Sequence, residues 1–598
     1  MQNVVSDRIA ALRKAMKDNN ADWYFMTSDD FHGSEYVADY FKIREHYTGF
    51  TGENAFLILN GYNAFMWADG RFFIQAENEL KGSGVTLMKM GEPGVPTTLE
   101  FIKENVKAGE SFFFDGRNVN TGLGKRIEEA VKTKGGSICM DKDIAGDLWK
   151  DRPDLPSSEV FILSDEVSGE NTTSKLSRIR EKMKAEGAVH HFITSLDDIM
   201  WITNLRANDI ECNPVALAYL FVDTEDAYIF MQSKEATPKV ADYLSSVGIK
   251  TYLYEDAMNF LKKFNYRGSV LVDEGSLNFL AYSTIAGATS VINRQNPSKL
   301  MKAVKNETEI KRLREAYLLD SVCVTKFAYW LKKNVGKTEI TEVSAAEYID
   351  NLRSKVEGFI ELSFPTISGY GPNAAMMHYS ATPENYAKVL PKGMLLVDSG
   401  GQYMNGTTDV TRTYACGPVT DDMKLHFSKV AAGMLNLADA KFLYGCTGRN
   451  VDILARLPLW ELGIDYKCGT GHGVGYILNV HEGPHNIRWK YTNGMTEAVL
   501  EAGMIMSDEP GVYIEGKYGI RTENVILCKK DVNNSDGQFM SFEHLTFTPI
   551  DRDLLDKKYL TEKEINRIDD YHETVYQKTK DYLTKEEAEW LREVTRKL

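Results

Sequence analysis

Neither a long apolar run nor a paired-cysteine motif occurs in the 598 residues of this sequence. A membrane-spanning helix needs about 20 consecutive apolar residues, and no stretch approaches that length, so membrane-protein classes are set aside. The 7 cysteines, at 139, 212, 323, 416, 446, 468 and 528, are widely spaced and form no Cys-x-x-Cys pair. This excludes a disulfide framework and a zinc ribbon and fits a reducing compartment. Positive charge is also short: 70 Lys and Arg stand against 85 Asp and Glu, a formal net charge of -15. Negative charge of that size repels nucleic acid phosphates and anionic membrane surfaces, so neither is an expected partner. It suits a cationic ligand such as a peptide amino terminus, although solubility alone explains it equally well. The opening residues carry Ile9, Leu12 and Met16 on one side of an amphipathic helix. That is not the pattern of a cleavable leader, and a cytoplasmic protein is expected.

What is present is an ordinary globular balance, 43% hydrophobic and 26% charged residues, in a chain too long for one core. Three or four units are expected. The first two repeat each other: Thr27-Ser28 matches Thr194-Ser195, 167 positions on (194 - 27). Each copy continues from a helix pattern into two β-type runs, beginning at Ala55 and Ala64 in the first and at Ala218 and Ala227 in the second. The stretch from Asp151 to Ser158, with two prolines, reads as the linker. Near residue 302 a third unit begins, where Asn306 and Glu309 form a capping pattern ahead of a helical stripe of Ile310, Leu313, Tyr317, Val324, Ala328 and Leu331. After about residue 550 the chain is charged and has the periodicity of a solvent-exposed helical tail. The expected class is α/β (α+β), divided as 1–153, a related 154–301, a catalytic 302–549 and a tail 550–598.

Chemistry concentrates between 378 and 523. Five of the 11 histidines lie there, at 378, 426, 472, 481 and 485. Asp398, Asp409, His472, Glu509 and Glu523 stand close to glycine, proline or short apolar runs, where backbone approaches a ligand closely. His426 has neither glycine nor acid beside it and reads as an ordinary helix residue. Asp398 and Glu509 follow apolar runs, and buried carboxylates without compensating charge are costly. Two divalent ions about 3.5–4 Å apart would balance them and generate a nucleophile at neutral pH. One imidazole among oxygen ligands suits manganese, iron or cobalt. A tight turn at Asn405-Gly406 would set Asp398 opposite Thr413 and away from Asp409, so either the turn is looser or a bulge shifts one strand.

Two other motifs fail on mechanism. His481-Glu-Gly-Pro-His485 matches the zinc-protease string, but Gly483-Pro484 breaks the continuous helix that string needs. The run Gly469 to Gly475 lacks the glycine spacing of a phosphate cradle and no Lys-Ser/Thr follows it.

In this order, Asp398, Asp409, His472, Glu509 and Glu523 resemble the ligand set of the pita-bread metallopeptidases, the group of methionine aminopeptidase, prolidase and Xaa-Pro aminopeptidase. The similarity to the cytosolic three-domain Xaa-Pro aminopeptidases (aminopeptidase P) covers nearly the whole chain. It includes Trp67-Ala-Asp-Gly-Arg71, Leu362-Ser-Phe-Pro-Thr-Ile-Ser, His378-Tyr, Gly406-Thr-Thr-Asp-Val-Thr-Arg-Thr, Leu478-Asn-Val-His481-Glu-Gly-Pro and Phe542-Glu-His-Leu-Thr. The resemblance implies two creatinase-type domains ahead of a pita-bread catalytic domain, two divalent ions of manganese, and a homodimer. It implies that Asp398 serves one metal, His472 and Glu509 the other, and that Asp409 and Glu523 bridge them. Glu509 would be general base to a hydroxide bridging the metals, with His378 and His481 contacting substrate and the developing oxyanion. Tyr513 and Arg521 would line the pocket, and Arg71 would contact substrate. The implied reaction releases the first residue of peptides with proline second. A prolidase restricted to Xaa-Pro dipeptides, a non-catalytic pita-bread binding module and a metal-free amidinohydrolase of creatinase type are the alternatives; the last two are expected to lack some of the five ligands. One departure stands out: four residues before His472 the family usually has histidine, and here stands Cys468.

Overall fold

The structure, a computed structural model, describes residues 2–52, 54–70, 72–377, 379–491 and 497–598. It divides into two compact units: Met1–Ile162, Thr172–Glu211 and Val215–Ser298 form one, and Leu163–Asn171, Cys212–Pro214 and Lys299–Leu598 the other.

The first unit contains two six-stranded sheets of the same plan. In the first, Trp23–Met26 (β1), Ala55–Asn60 (β2), Ala64–Ala68 (β3), Thr86–Lys89 (β4), Ser111–Phe113 (β5) and Ser137–Cys139 (β6) lie in the order β4-β3-β2-β1-β5-β6. In the second, His190–Ile193 (β7), Ala218–Val222 (β8), Ala227–Met231 (β9), Ile249–Leu253 (β10), Val270–Val272 (β11) and Val291–Asn293 (β12) lie as β10-β9-β8-β7-β11-β12. Strand directions repeat as well: β1-β2-β3 and β7-β8-β9 are antiparallel meanders, and the outer strands of both sheets join in parallel. The matched threonines do the same work. Thr27 Oγ1 donates to Asn118 O at 2.7 Å and Thr194 Oγ1 to Ser276 O at 2.9 Å, tying the end of each first strand to the turn after the fifth. The N-terminal helix Gln2–Asp18 buries Ile9, Leu12 and Met16 together with Val5, the stripe its periodicity predicts. Residues 151–160 carry no helix or strand.

In the second unit the helix Glu307–Asn334 starts on the expected cap: Asn306 Oδ1 accepts from the N–H groups of Thr308 and Glu309, and Glu309 returns a carboxylate to the Asn306 N–H. Its apolar stripe is buried, and Val324, Ala328 and Leu331 join one core cluster with Leu395, Val397, Val410 and Tyr414 of the strands Met394–Ser399 and Val410–Ala415. These pair antiparallel beside Ile367–Tyr370. A six-stranded sheet completes the unit, in the order Lys441–Leu443, Gly537–His544, Asn524–Asn534, Ile505–Asp508, Gly471–Gly473 and Glu482–Ile487.

Two expectations are corrected. Neither a looser turn nor a bulge joins the strands: Tyr403 pairs with Gly406 and Gln402 with Thr407, so a tight turn lies one position earlier than Asn405-Gly406, at Met404-Asn405. Gly406 is required for another reason, because it has φ +141° and a Cβ there would come within 2.5 Å of the Leu313 side chain. Nor is the C-terminal segment solvent-exposed along its length. Helices Glu562–Thr579 and Lys585–Val594 place Ile568, Tyr571, Val575 and Leu591 in one core cluster with Phe427, Val430 and Met434.

Candidate metal centre

With the turn at Met404-Asn405, Asp398 pairs with Thr411. Asp409 is two positions before Thr411, so it rises on the same face of the pair, diagonal to Asp398. Glu509 directly follows the strand Ile505–Asp508, His472 is the middle residue of Gly471–Gly473, and Glu523 sits between Tyr518–Arg521 and Asn524–Asn534. The acids therefore come from the ends of strands in different sheets, and glycines let those strands close on one another. A Cβ on Gly471 would lie 1.9 Å from Ser507 O, and one on Gly400 would lie 2.0 Å from Thr408 O.

The five side chains converge. One carboxylate oxygen from each of Asp398, Asp409 and Glu523 lies within 4.8 Å of the other two. His472 Nε2 is 3.3 Å from Asp409 Oδ2 and 3.4 Å from Glu509 Oε1. Its Nδ1–H donates to Gly473 O at 2.9 Å, which leaves Nε2 to face the carboxylates. Burial raises Glu523 well above the usual carboxylate range, and neighbouring Asp409, Glu509 and Asp398 add to the shift. Burial and the charges of Asp409 and Asp398 also raise Glu509, against the pull of His472 and Arg521. Burial by itself would depress His472, but Asp409 and Glu509 outweigh it and hold the imidazolium up to about 9. Asp398 Oδ1 and Glu523 Oε1 are buried and have no hydrogen-bond partner among the described residues. Crowded acids, an imidazole ordered by its far nitrogen and two orphaned oxygens make a donor set that fits divalent cations.

Around this set, Arg521 Nη2 donates to Asp398 Oδ2 at 2.5 Å and Nη1 to Tyr513 OH at 2.7 Å. The exposed His481 stands edge-on to His472, with ring centroids 4.3 Å apart. Arg71 and His378 lie outside the described residues. His485 is buried in a strand and donates to Ile505 O at 2.8 Å; the segment that mimics the zinc-protease string is not helical. His426 lies in the helix Asp421–Ala438 and meets Tyr518 OH at 2.9 Å, away from the acids. Burial, then Glu509, pushes the Cys468 thiol up to about 11, so it stays protonated at neutral pH and is a poor relay.

Two residues escaped the reading of the sequence. Ser507 Oγ accepts from His472 N at 3.0 Å and donates to Glu509 Oε1 at 3.0 Å. Thr411 Oγ1 donates to Glu523 Oε2 at 2.7 Å and accepts from Arg521 Nε at 3.1 Å. Both stand two positions from an acid in a β-type run, so the period-2 alternation was the available signal.

Comparison with known proteins agrees with this architecture. Family models match in series: the creatinase/prolidase N-terminal domain over residues 8–142 and a second such domain over 151–309, metallopeptidase family M24 over 311–530, and the C-terminal region of peptidase M24 over 538–598. Xaa-Pro aminopeptidase 1 of Dictyostelium discoideum is 34% identical over 588 residues, covering 96% of this chain and 93% of its own. The chain belongs to metallopeptidase family M24. Aminopeptidase P2 of Arabidopsis thaliana is 33% identical over 634 residues, 100% of this chain and 89% of its own. The crystal structure of the X-prolyl aminopeptidase of Caenorhabditis elegans, described as a cytosolic enzyme with a di-nuclear active site, superposes with a TM-score of 0.91 at 32% identity. That match covers 99% of this chain and 100% of the nematode chain. As an M24 member the chain is an enzyme, a metal-dependent hydrolase, and the five residues that the family resemblance implies as ligands are all present. Among the described residues no helix is long and apolar enough to cross a membrane.

Proposed function

We propose that this M24 hydrolase is a Xaa-Pro aminopeptidase, releasing the N-terminal residue from peptides whose second residue is proline. The observation that carries the reading is the convergence of Asp398, Asp409, His472 and Glu523 around Glu509 in a chain similar, over 96% of its length, to a protein named for that activity. The site would take two divalent ions, of which manganese suits the oxygen-rich donor set. Asp398 would hold one, His472 and Glu509 the other, and Asp409 and Glu523 both. When bound, the ions would acidify a shared water and polarise the scissile carbonyl.

The remaining steps belong to the chain's own side chains. Glu509 would take a proton; its Oε1 accepts from Ser507 Oγ at 3.0 Å and its Oε2 lies 4.0 Å from Arg521 Nε. His481, exposed beside His472, and His378 would contact the substrate and stabilise charge on its carbonyl oxygen. Tyr513 and Arg521 would form one wall, with Arg71 a further substrate contact. A prolyl amide has no N–H to offer, so it calls for a dedicated pocket. We further propose the four-part division 1–153, 154–301, 302–549 and 550–598, a cytoplasmic location and a homodimer, with neither nucleic acid nor membrane as partner; a charge of -15 supports the last.

Xaa-Pro and Xaa-Pro-Yaa substrates compared side by side with manganese test the proposal. The tripeptide is expected to yield free Xaa and Pro-Yaa. Cleavage of the dipeptide alone would make the chain a prolidase, and cleavage of neither would defeat the assignment.

A further inference from the structure

Glu342 opens the helix Glu342–Arg353 and is fully buried, 0% exposed. A carboxylate taken wholly out of water needs strong compensation. Among the described residues no cation pairs with it; the carboxylate accepts from four neutral donors, all in one stretch of chain. These are the backbone N–H groups of Tyr370 and Ala387, both at 2.6 Å, the side-chain amide of Asn373 at 3.0 and 3.1 Å, and the phenol of Tyr379 at 2.7 Å. Asn373 also donates to the Tyr379 oxygen at 3.0 Å, so the phenol is held from two sides. The Glu342 N–H donates in turn to Ala387 O at 3.1 Å.

The described residues between 370 and 387 have little regular structure to satisfy their backbone, and Glu342 accepts from two of their N–H groups in place of a strand partner. Its opposite flank is fixed too. The short turn Gly371–Ala375 rests on Gly519, where a Cβ would come within 1.7 Å of Ala374 O, and Gly519 lies two residues before Arg521. The stretch is thus clamped between a buried helix start and the strand that carries Arg521. It is also the stretch in which His378 directly precedes Tyr379.

We propose that Glu342, acting through the Tyr379 phenol, is the positioning residue that sets the segment bearing His378 for catalysis. The inference rests on the aminopeptidase reading above, in which His378 contacts the substrate. A carboxylate gathering four donors holds the segment at several points along its length, whereas one hydrogen bond would leave it free to pivot. Displacements of about 1 Å at a reacting centre cost up to about 100-fold in rate.

Tyr379→Phe keeps the ring and removes the phenol contact. It is expected to lower kcat about 10-fold or more with KM changed less than about 3-fold, while bound metal per chain stays at the wild-type level. In a His378→Ala background the same substitution is expected to cost nothing further, because the two act as one unit. A kcat equal to wild type, or an equal loss in the presence and absence of His378, would overturn the proposal. Hydrogen exchange reads the clamp without any assay of activity: Glu342→Gln is expected to speed exchange at the Tyr370 and Ala387 amides and to leave Met394–Ser399 protected. Unchanged exchange at those amides would overturn it as well. If Glu342→Gln fails to fold, the Tyr379→Phe comparison still decides. A wild-type chain inert toward every Xaa-Pro-Yaa peptide would instead sink the function on which the inference rests.

Discussion

His472 shows how much of this enzyme's behaviour is set by a few atoms. In the metal-free protein Asp409 and Glu509 hold its imidazolium up to about 9, against burial, and Glu509 and Glu523 are themselves raised. At pH 7 the imidazole therefore carries a proton, which a cation bound there would have to displace, since only the neutral ring ligates. Loading the metals should release protons to the medium. Apparent affinity should rise with pH between about 6 and 9, roughly tenfold per unit for each proton displaced. Calorimetric titration of manganese in buffers of different ionisation enthalpy measures that count; a count of zero at pH 7 would be inconsistent with the site as described. The acids and the imidazole were legible because carboxylates beside glycine after apolar runs demand a charge partner. Ser507 and Thr411 were not, since a hydroxyl carries no charge to flag it.

At the scale of elements, the site depends on strands that approach more closely than side chains allow. Gly471→Ala would drive a Cβ to 1.9 Å from Ser507 O, prying apart the strands that carry His472 and Glu509. The expected cost is about 1–3 kcal/mol in unfolding free energy, with loss of bound metal. Chemical denaturation and metal analysis of the variant check both, and wild-type values would contradict the close approach. The strands themselves could be read from their apolar runs, but the register between Asp398 and Asp409 could not. Asn405-Gly406 has the composition of a two-residue turn, whereas the glycine is there because Leu313 packs against its Cα at φ +141°. A long-range contact of that kind leaves no local trace. A turn at Asn405-Gly406 would move the pairing by two residues, and an even shift of that kind keeps every side chain on its own face.

For the whole molecule, repetition was the plainest message of the sequence: Thr27 and Thr194 anchor two sheets of one plan. The C-terminal segment was harder to read because its charged residues outnumber the apolar ones that pack. Ile568, Tyr571 and Val575 nonetheless recur at helical spacing, and Tyr571 OH meets Arg412 Nη2 at 3.0 Å and Thr548 O at 2.9 Å. A chain ending at residue 555 would leave Phe427, Val430 and Met434 without cover, and it is expected to be insoluble or to lose cooperative unfolding; a soluble, cooperatively folding truncate would show the segment to be dispensable. Four carboxylates and one imidazole would together hold two divalent ions for peptide hydrolysis. The decisive test is cleavage of a Xaa-Pro-Yaa tripeptide by chelator-stripped protein titrated with manganese. No product is expected without metal, and full activity is expected as two ions bind per chain; undiminished cleavage by the stripped protein would contradict a metal-dependent site.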